Sequence, residues 1–88
     1  MKLTITVTEQ DMVYGRSGDC GACPVARAVN RAYGKPIAQV GGYTIRLYDK
    51  VAVMPAELID WISRFDSVEE WPEVGCSYDL EFKPIFGG

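Results

Sequence analysis

Apolar and polar residues alternate cleanly over residues 2–8. Leu3, Ile5 and Val7 fall on one side, and Lys2, Thr4, Thr6 and Thr8 on the other. That period of two predicts a strand with one buried and one open face. The period changes at Pro24. Val25, Ala28, Val29, Ala32 and Tyr33 recur at i, i+3, i+4, i+7 and i+8, which predicts an amphipathic helix over 24–33. Pro24 suits its first turn, Gly34 its left-handed end, and Pro36 blocks continuation. A short strand over 37–40 and a second over 43–48 flank Gly41-Gly42, a hairpin turn in which both glycines accept positive φ. Ile45 and Leu47 point inward from the second strand. Asp49-Lys50 interrupts the alternation, and Val51 and Val53 resume on the same odd-numbered face, through either a bulge or another turn. Pro55 opens a second helix over 55–65, with Leu58, Ile59, Trp61, Ile62 and Phe65 in a broad stripe. Tyr78, Leu80 and Phe82 then alternate with Asp79, Glu81 and Lys83 in a last strand that Pro84 ends.

This order, βαββαβ, predicts a single α+β domain over 1–88. A split-βαβ, ferredoxin-like sandwich follows, with both helices on one face of an antiparallel sheet ordered 4-1-3-2. Leu3, Ile5, Val7, Val25, Val29, Ala32, Ile45, Leu47, Leu58, Ile62, Phe65, Leu80 and Phe82 form the expected core. Thr4, Thr6, Arg46, Tyr48, Asp79, Glu81 and Lys83 occupy the expected open face. In the connection over 9–22, Glu9-Gln10-Asp11 begins a short helical turn that tucks Met12, Val13 and Tyr14 onto the core. No apolar run approaches the ~18 residues that a membrane-spanning helix needs.

Charge changes the picture. The net charge is −3, yet residues 1–50 carry seven basic and four acidic side chains, and residues 51–88 carry two basic and eight acidic. From Asp66 to Glu81 there are six carboxylates and no base: Asp66, Glu69, Glu70, Glu73, Asp79 and Glu81. Such a run argues against tracking nucleic-acid phosphates and fits a partner protein with a basic surface. Trp71 sits among these carboxylates, off any periodic face, and either caps the edge of the core or stands exposed as an apolar anchor of the kind that dominates interfaces. The candidate partner-binding set is therefore Asp66, Glu69, Glu70, Trp71, Glu73, Asp79 and Glu81. A solvated acidic loop is the plainer reading of the same residues.

The chain has no histidine, which removes the commonest general base and metal ligand, and excludes Ser–His and Cys–His nucleophiles within it. No catalytic residues and no cofactor are assigned. The three cysteines form no spaced framework, and with Met1-Lys2 leading directly into a strand they fit the reducing cytoplasm. Cys20 and Cys23 form a lone C-x-x-C before the first helix. Cys23 is either a small buried plug or a thiol made acidic by the helix dipole. Thiol–disulfide chemistry or a soft metal, Cu(I) or Zn(II), held by Cys20 and Cys23 is the alternative.

Two resemblances arise at these residues. D-C-G-A-C-P-V-A-R-A-V resembles the M-x-C-x-x-C segment of heavy-metal-associated domains and copper chaperones, with Gly18 where that family has methionine and with a longer preceding loop. This resemblance implies a ferredoxin-like fold and a metal carrier. More of the chain is similar to a group of small bacteriophage and prophage proteins. The matching segments are Val7-Thr8-Glu9, the G-x-C-x-x-C-P-V-A-x-A run of Gly18–Ala28, the helix of Pro55–Asp66 and the last strand of Tyr78–Phe82. That resemblance implies a phage accessory protein that binds and inhibits or modulates a host protein, bacterial defence complexes included, and it supplies no catalytic residues.

Overall fold

The structure is a computed structural model that describes residues 1–67 and 72–85. The elements run β1 (Lys2–Thr6), α1 (Glu9–Tyr14), α2 (Pro24–Tyr33), β2 (Gln39–Val40), β3 (Thr44–Leu47), β4 (Lys50–Val53), α3 (Ala56–Asp66), β5 (Ser77–Glu81) and β6 (Lys83–Pro84). The chain is α+β, with three helices and two antiparallel sheets. β1 pairs with β5, Leu3 opposite Leu80 and Ile5 opposite Tyr78. The second sheet has the order β2-β3-β4-β6. The strands thus divide between two ladders, and among the described residues β1 hydrogen-bonds to no strand except β5. β4 nevertheless runs beside β5, so the sheets adjoin.

Asp49-Lys50 proves to mark a turn. β3 and β4 form a hairpin in which Leu47 faces Lys50 and Ile45 faces Ala52. Two residues, Tyr48 and Asp49, make the bend. A turn reverses the parity that a continuous strand would keep. Ala52 and Met54 are therefore buried, while Val53, expected on the face of Ile45, is 75% exposed.

One apolar cluster joins the helices to both sheets. Of the expected core, Ile5, Val7, Val25, Val29, Ile45, Leu47, Leu58, Phe65, Leu80 and Phe82 are buried. Leu3 and Ile62 are half-buried. Ala32 is exposed, a correction to the expected stripe. Burial on α2 ends at Val29, and Arg31, Ala32 and Gly34 are all exposed, so the helix end projects past what it covers. Gly34 closes that helix at φ 90°, donating its N–H to Asn30 O at 2.7 Å.

The expected turn at Glu9–Asp11 is a full short helix. Thr8 caps it, its Oγ1 accepting from Asp11 N–H at 3.2 Å while Asp11 Oδ2 accepts from Thr8 N–H at 3.0 Å. This reciprocal box satisfies two otherwise orphaned donors. Met12 is buried, but Val13 and Tyr14 are exposed rather than tucked inward. The six-residue helix has one inward stripe, and Asp11 and Met12 fill it. Among the described residues, no helix is long and apolar enough to cross a membrane.

Candidate functional site

The acidic run of the sequence separates in space. Asp66 ends α3, where its Oδ1 accepts a hydrogen bond from Ser17 Oγ at 2.8 Å. Glu69, Glu70 and Trp71 lie outside the described residues. Glu73 faces back to α3, and Arg64 Nη1 and Nη2 donate to its two carboxylate oxygens at 2.9 and 3.1 Å. The Arg64 hydrogen bond holds the Glu73 carboxyl below its ordinary range. Arg64 Nε also lies 3.0 Å from Asp60 Oδ2. A base from outside the run thus partly neutralises it, at the modest energy of an exposed pair.

Asp79 and Glu81 stand together on the outer face of β5, two residues apart and both exposed. Thr4 Oγ1 donates to Asp79 Oδ1 at 2.7 Å, and Lys2 Nζ lies 3.9 Å from Oδ2. Glu81 lines a depression of about 270 Å³ with Val51, Val53 and Lys83. The outer surfaces of β5 and β4 are therefore continuous. All seven residues expected on the open face, Thr4, Thr6, Arg46, Tyr48, Asp79, Glu81 and Lys83, are exposed.

Next to the carboxylates the same face changes character. Gln39, Arg46, Val51 and Lys83 form a row across four strands through their pairings. Ile37, Gln39, Arg46 and Tyr48 line a depression of about 310 Å³. Tyr48 is 82% exposed at the hairpin tip and has φ 24°. A bulky residue at positive φ is strained, and strain of this kind concentrates at functional positions. Tyr43 and Val53 add exposed apolar surface. Sequence reasoning placed Tyr48 outward but missed its backbone and the exposure of Val53; both follow from the turn at Tyr48-Asp49.

The cysteine loop is tightly organised. Asp19 Oδ1 accepts from Gly21 N–H at 3.0 Å and Ala22 N–H at 3.1 Å, and Asp19 O accepts from Cys23 N–H at 3.0 Å. Val40 N–H donates to Cys20 O at 2.8 Å, tying the loop to β2. Cys23 is the N-cap of α2, its Sγ accepting from Ala26 N–H at 3.4 Å. It is buried, whereas Cys20 is exposed and Cys76, at the start of β5, is half-buried. Burial pushes the Cys23 thiol up and outweighs the amide hydrogen bonds that would lower it. Of the two readings of Cys23, the small buried plug holds and the acidic thiol does not: it is a buried capping thiol. Cys20, Cys23 and Asp66 share a shallow depression of about 110 Å³. Among the described residues, no group of three or more cysteine and carboxylate side chains is placed to hold a metal ion.

Reactivity should follow this division. Under native conditions a thiol reagent should modify Cys20 at least ~10-fold faster than Cys23, since the thiolate is the nucleophile and access controls it. Timed alkylation with peptide mass analysis reads both sites. Equal rates would show that Cys23 is not the buried cap.

Sequence reasoning missed one further constellation. Asp11 is 0% exposed, and Arg31 Nη1 and Nη2 donate to its two oxygens at 2.9 and 2.7 Å. Arg31 Nη2 also donates to Thr6 O at 2.8 Å, so one guanidinium ties α2 to α1 and the end of β1. Arg27 Nε lies 3.4 Å from Asp11 Oδ1 without a hydrogen bond, and its guanidinium sits 5.6 Å from the centre of the Tyr14 ring. The T-x-x-D spacing of Thr8 and Asp11 was the available signal.

Protein-family models, curated proteins and solved structures were all compared with the chain, and none matches it.

Proposed function

We propose that this chain is a small non-enzymatic protein-binding module that recognises a basic partner surface through its open sheet face and the acidic end of α3. The observation that carries the reading is the exposed outer face, where Glu81 shares a depression with Val51, Val53 and Lys83 and the strained Tyr48 shares another with Arg46. An exposed sheet face bearing carboxylates as well as exposed aromatic and apolar groups has the makeup of a recognition surface. Asp66, Glu69, Glu70, Trp71 and Glu73 are further candidate contacts in the proposal.

In this proposal both ladders form one layer with β1 outermost beside β5, rather than inside the sheet as the order 4-1-3-2 expects. The depression shared by Glu81 with Val51 and Val53 supports treating the two ladders as one layer. The resemblance to small phage proteins supports an accessory role in the cytoplasm, with a host protein as the target for inhibition or modulation. That step is analogy.

Affinity capture from a host lysate names the partner, and two charge-reversal variants then test the surface. One carries Lys at 69, 70 and 73, the other Lys at 79 and 81. Both should keep the wild-type circular dichroism spectrum. Each should bind roughly 10-fold or more weakly, mainly through a slower on-rate, and with a reduced salt dependence. Unchanged affinity and salt dependence in both variants would overturn the assignment.

A further inference from the structure

The edge of β1 that faces away from β5 has no strand partner among the described residues. Met1 and Phe82 exchange backbone hydrogen bonds, Met1 N to Phe82 O at 2.8 Å and Phe82 N to Met1 O at 2.6 Å. Val7 N–H donates to Cys76 O at 3.4 Å. The odd-numbered residues of this antiparallel ladder are therefore the hydrogen-bonded ones. Lys2, Thr4 and Thr6 occupy the alternate, non-hydrogen-bonded pairs, whose N–H and C=O groups point away from the partner strand. Side-chain geometry agrees, because such pairs bring side chains closest. Thr4 and Asp79 bond at 2.7 Å, and the Thr6 and Ser77 hydroxyls at 2.8 Å. The outward backbone groups of Lys2 and Thr4 have no strand partner among the described residues. Thr6 O alone is engaged there, by Arg31.

Exposed edges of this kind are usually blunted by proline, a bulge, an inward charge or a covering element. Lys2-Leu3-Thr4-Ile5-Thr6 contains no proline and no inward charge, and its register with β5 is unbroken. We propose that this edge pairs antiparallel with β1 of a second copy of this chain, about a two-fold axis at Thr4, giving a continuous sheet β5-β1-β1-β5.

The edge is self-complementary in that register. Thr4 exchanges both backbone bonds with Thr4 of the second copy, and Lys2 lies opposite Thr6. Leu3, half-buried at this edge, meets Ile5 across the seam on the core side. The only charged side chain of β1, Lys2, sits four residues from its symmetry mate along the strand. At a rise of about 3.4 Å per residue that is about 14 Å, beyond the ~8–10 Å screening length, so the two lysines do not oppose each other. Thr6 O keeps a second lone pair for the seam while Arg31 holds the first. A two-fold seam closes on itself, and a dimer is its natural limit.

Proline at position 4 removes the one N–H at the centre of the proposed seam and no hydrogen bond of the β1–β5 ladder. Sedimentation equilibrium of the wild-type chain over micromolar to millimolar concentrations should show the mass doubling. Thr4→Ala, which keeps the N–H and loses only the hydroxyl, should dimerise within about 3-fold of wild type. Thr4→Pro should remain a monomer. Hydrogen exchange on the wild type gives an independent reading should Thr4→Pro not fold. The Lys2, Thr4 and Thr6 amides should become protected as concentration rises, while the Leu3 and Ile5 amides stay protected throughout. A monomeric wild type at every concentration, equal dimerisation of the Pro and Ala variants, or edge amides indifferent to concentration would each overturn the proposal. An edge that pairs only with a strand of another protein would appear as the first of these.

Discussion

Asp11→Asn should be among the most destabilising single substitutions in the chain, lowering stability by roughly 3 kcal/mol at pH 7. Removing one partner of a buried ion pair typically costs about 3–5 kcal/mol. The lower end applies because the Arg27 and Arg31 side chains remain 37% and 50% exposed and so retain much of their hydration. Asparagine keeps the shape of the side chain and can still accept from Thr8 N–H, so the loss reports mainly the charge. It leaves two guanidinium groups facing each other with no anion between them. The consequence spreads, because Arg31 also holds the end of β1 through Thr6 O at 2.8 Å. Urea denaturation at pH 7 gives the difference directly.

The same carboxylate predicts a pH signature. Burial alone would push Asp11 upward, but the hydrogen bonds from Arg31 and Thr8 outweigh it and hold the carboxyl below its ordinary value of 3.8. A depressed folded value means that the unfolded chain binds the proton first, so stability rises with pH through this window. The contribution of Asp11 is fully present well above pH 3.8 and is lost as pH falls through the lower, folded value. The gap between wild type and Asp11→Asn should therefore shrink on acidification below that value. A gap independent of pH down to the acid transition would show that the Asp11 charge does not support the fold.

How much of this could be read from the chain follows from which interactions are local. The alternation of Leu3, Ile5 and Val7 and the stripe of Val25, Ala28 and Val29 depend on neighbours a few residues away, and their strand and helix are where the pattern put them. The turn at Tyr48-Asp49 was ambiguous for a physical reason. A bulge and a two-residue hairpin differ by one step of parity, and valines at 51 and 53 are acceptable on either face. Sheet order depends on pairings between residues far apart in sequence, such as Leu3 with Leu80, and no local pattern specifies which strand lies beside which. Asp11 shows the same limit for charge. Composition displayed an acidic C-terminal half, yet the buried carboxylate lies in the basic half, where two arginines of the next helix wait for it. In the candidate site, the outward positions of Asp79 and Glu81 were legible from strand parity. The Arg64 pairing that tempers Glu73 was not, because the two are nine residues apart across a helix end.

Trp61→Ala should cost about 3–5 kcal/mol, the range for truncating a buried aromatic, and the comparison with Trp61→Phe should separate its two roles. Trp61 is 1% exposed and stacks on Phe65 with ring centroids 5.6 Å apart and planes 7° from parallel. Its Nε1–H donates to Glu73 O at 2.8 Å, so the same ring that fills the core also fastens the chain leading into β5. Phenylalanine keeps an aromatic ring against Phe65, although smaller, and removes the donor. Glu73 is exposed, and its freed carbonyl can turn to water, so the hydrogen bond itself should account for about 1 kcal/mol of the loss. Urea midpoints read by circular dichroism give both values without relying on either tryptophan's fluorescence. The functional reading adds a second measurement, since Glu73 belongs to the proposed acidic surface. Trp61→Phe should leave the fold intact yet increase the amide exchange of Val74 and Gly75, loosening one end of that surface and weakening capture of a basic partner. A Phe variant as unstable as the Ala variant would instead mean that the indole hydrogen bond matters more than the packing of the ring. A Phe variant with wild-type exchange at Val74 and Gly75 would show that Gly75 N–H, which donates to Val7 O at 2.8 Å, is sufficient to hold this segment.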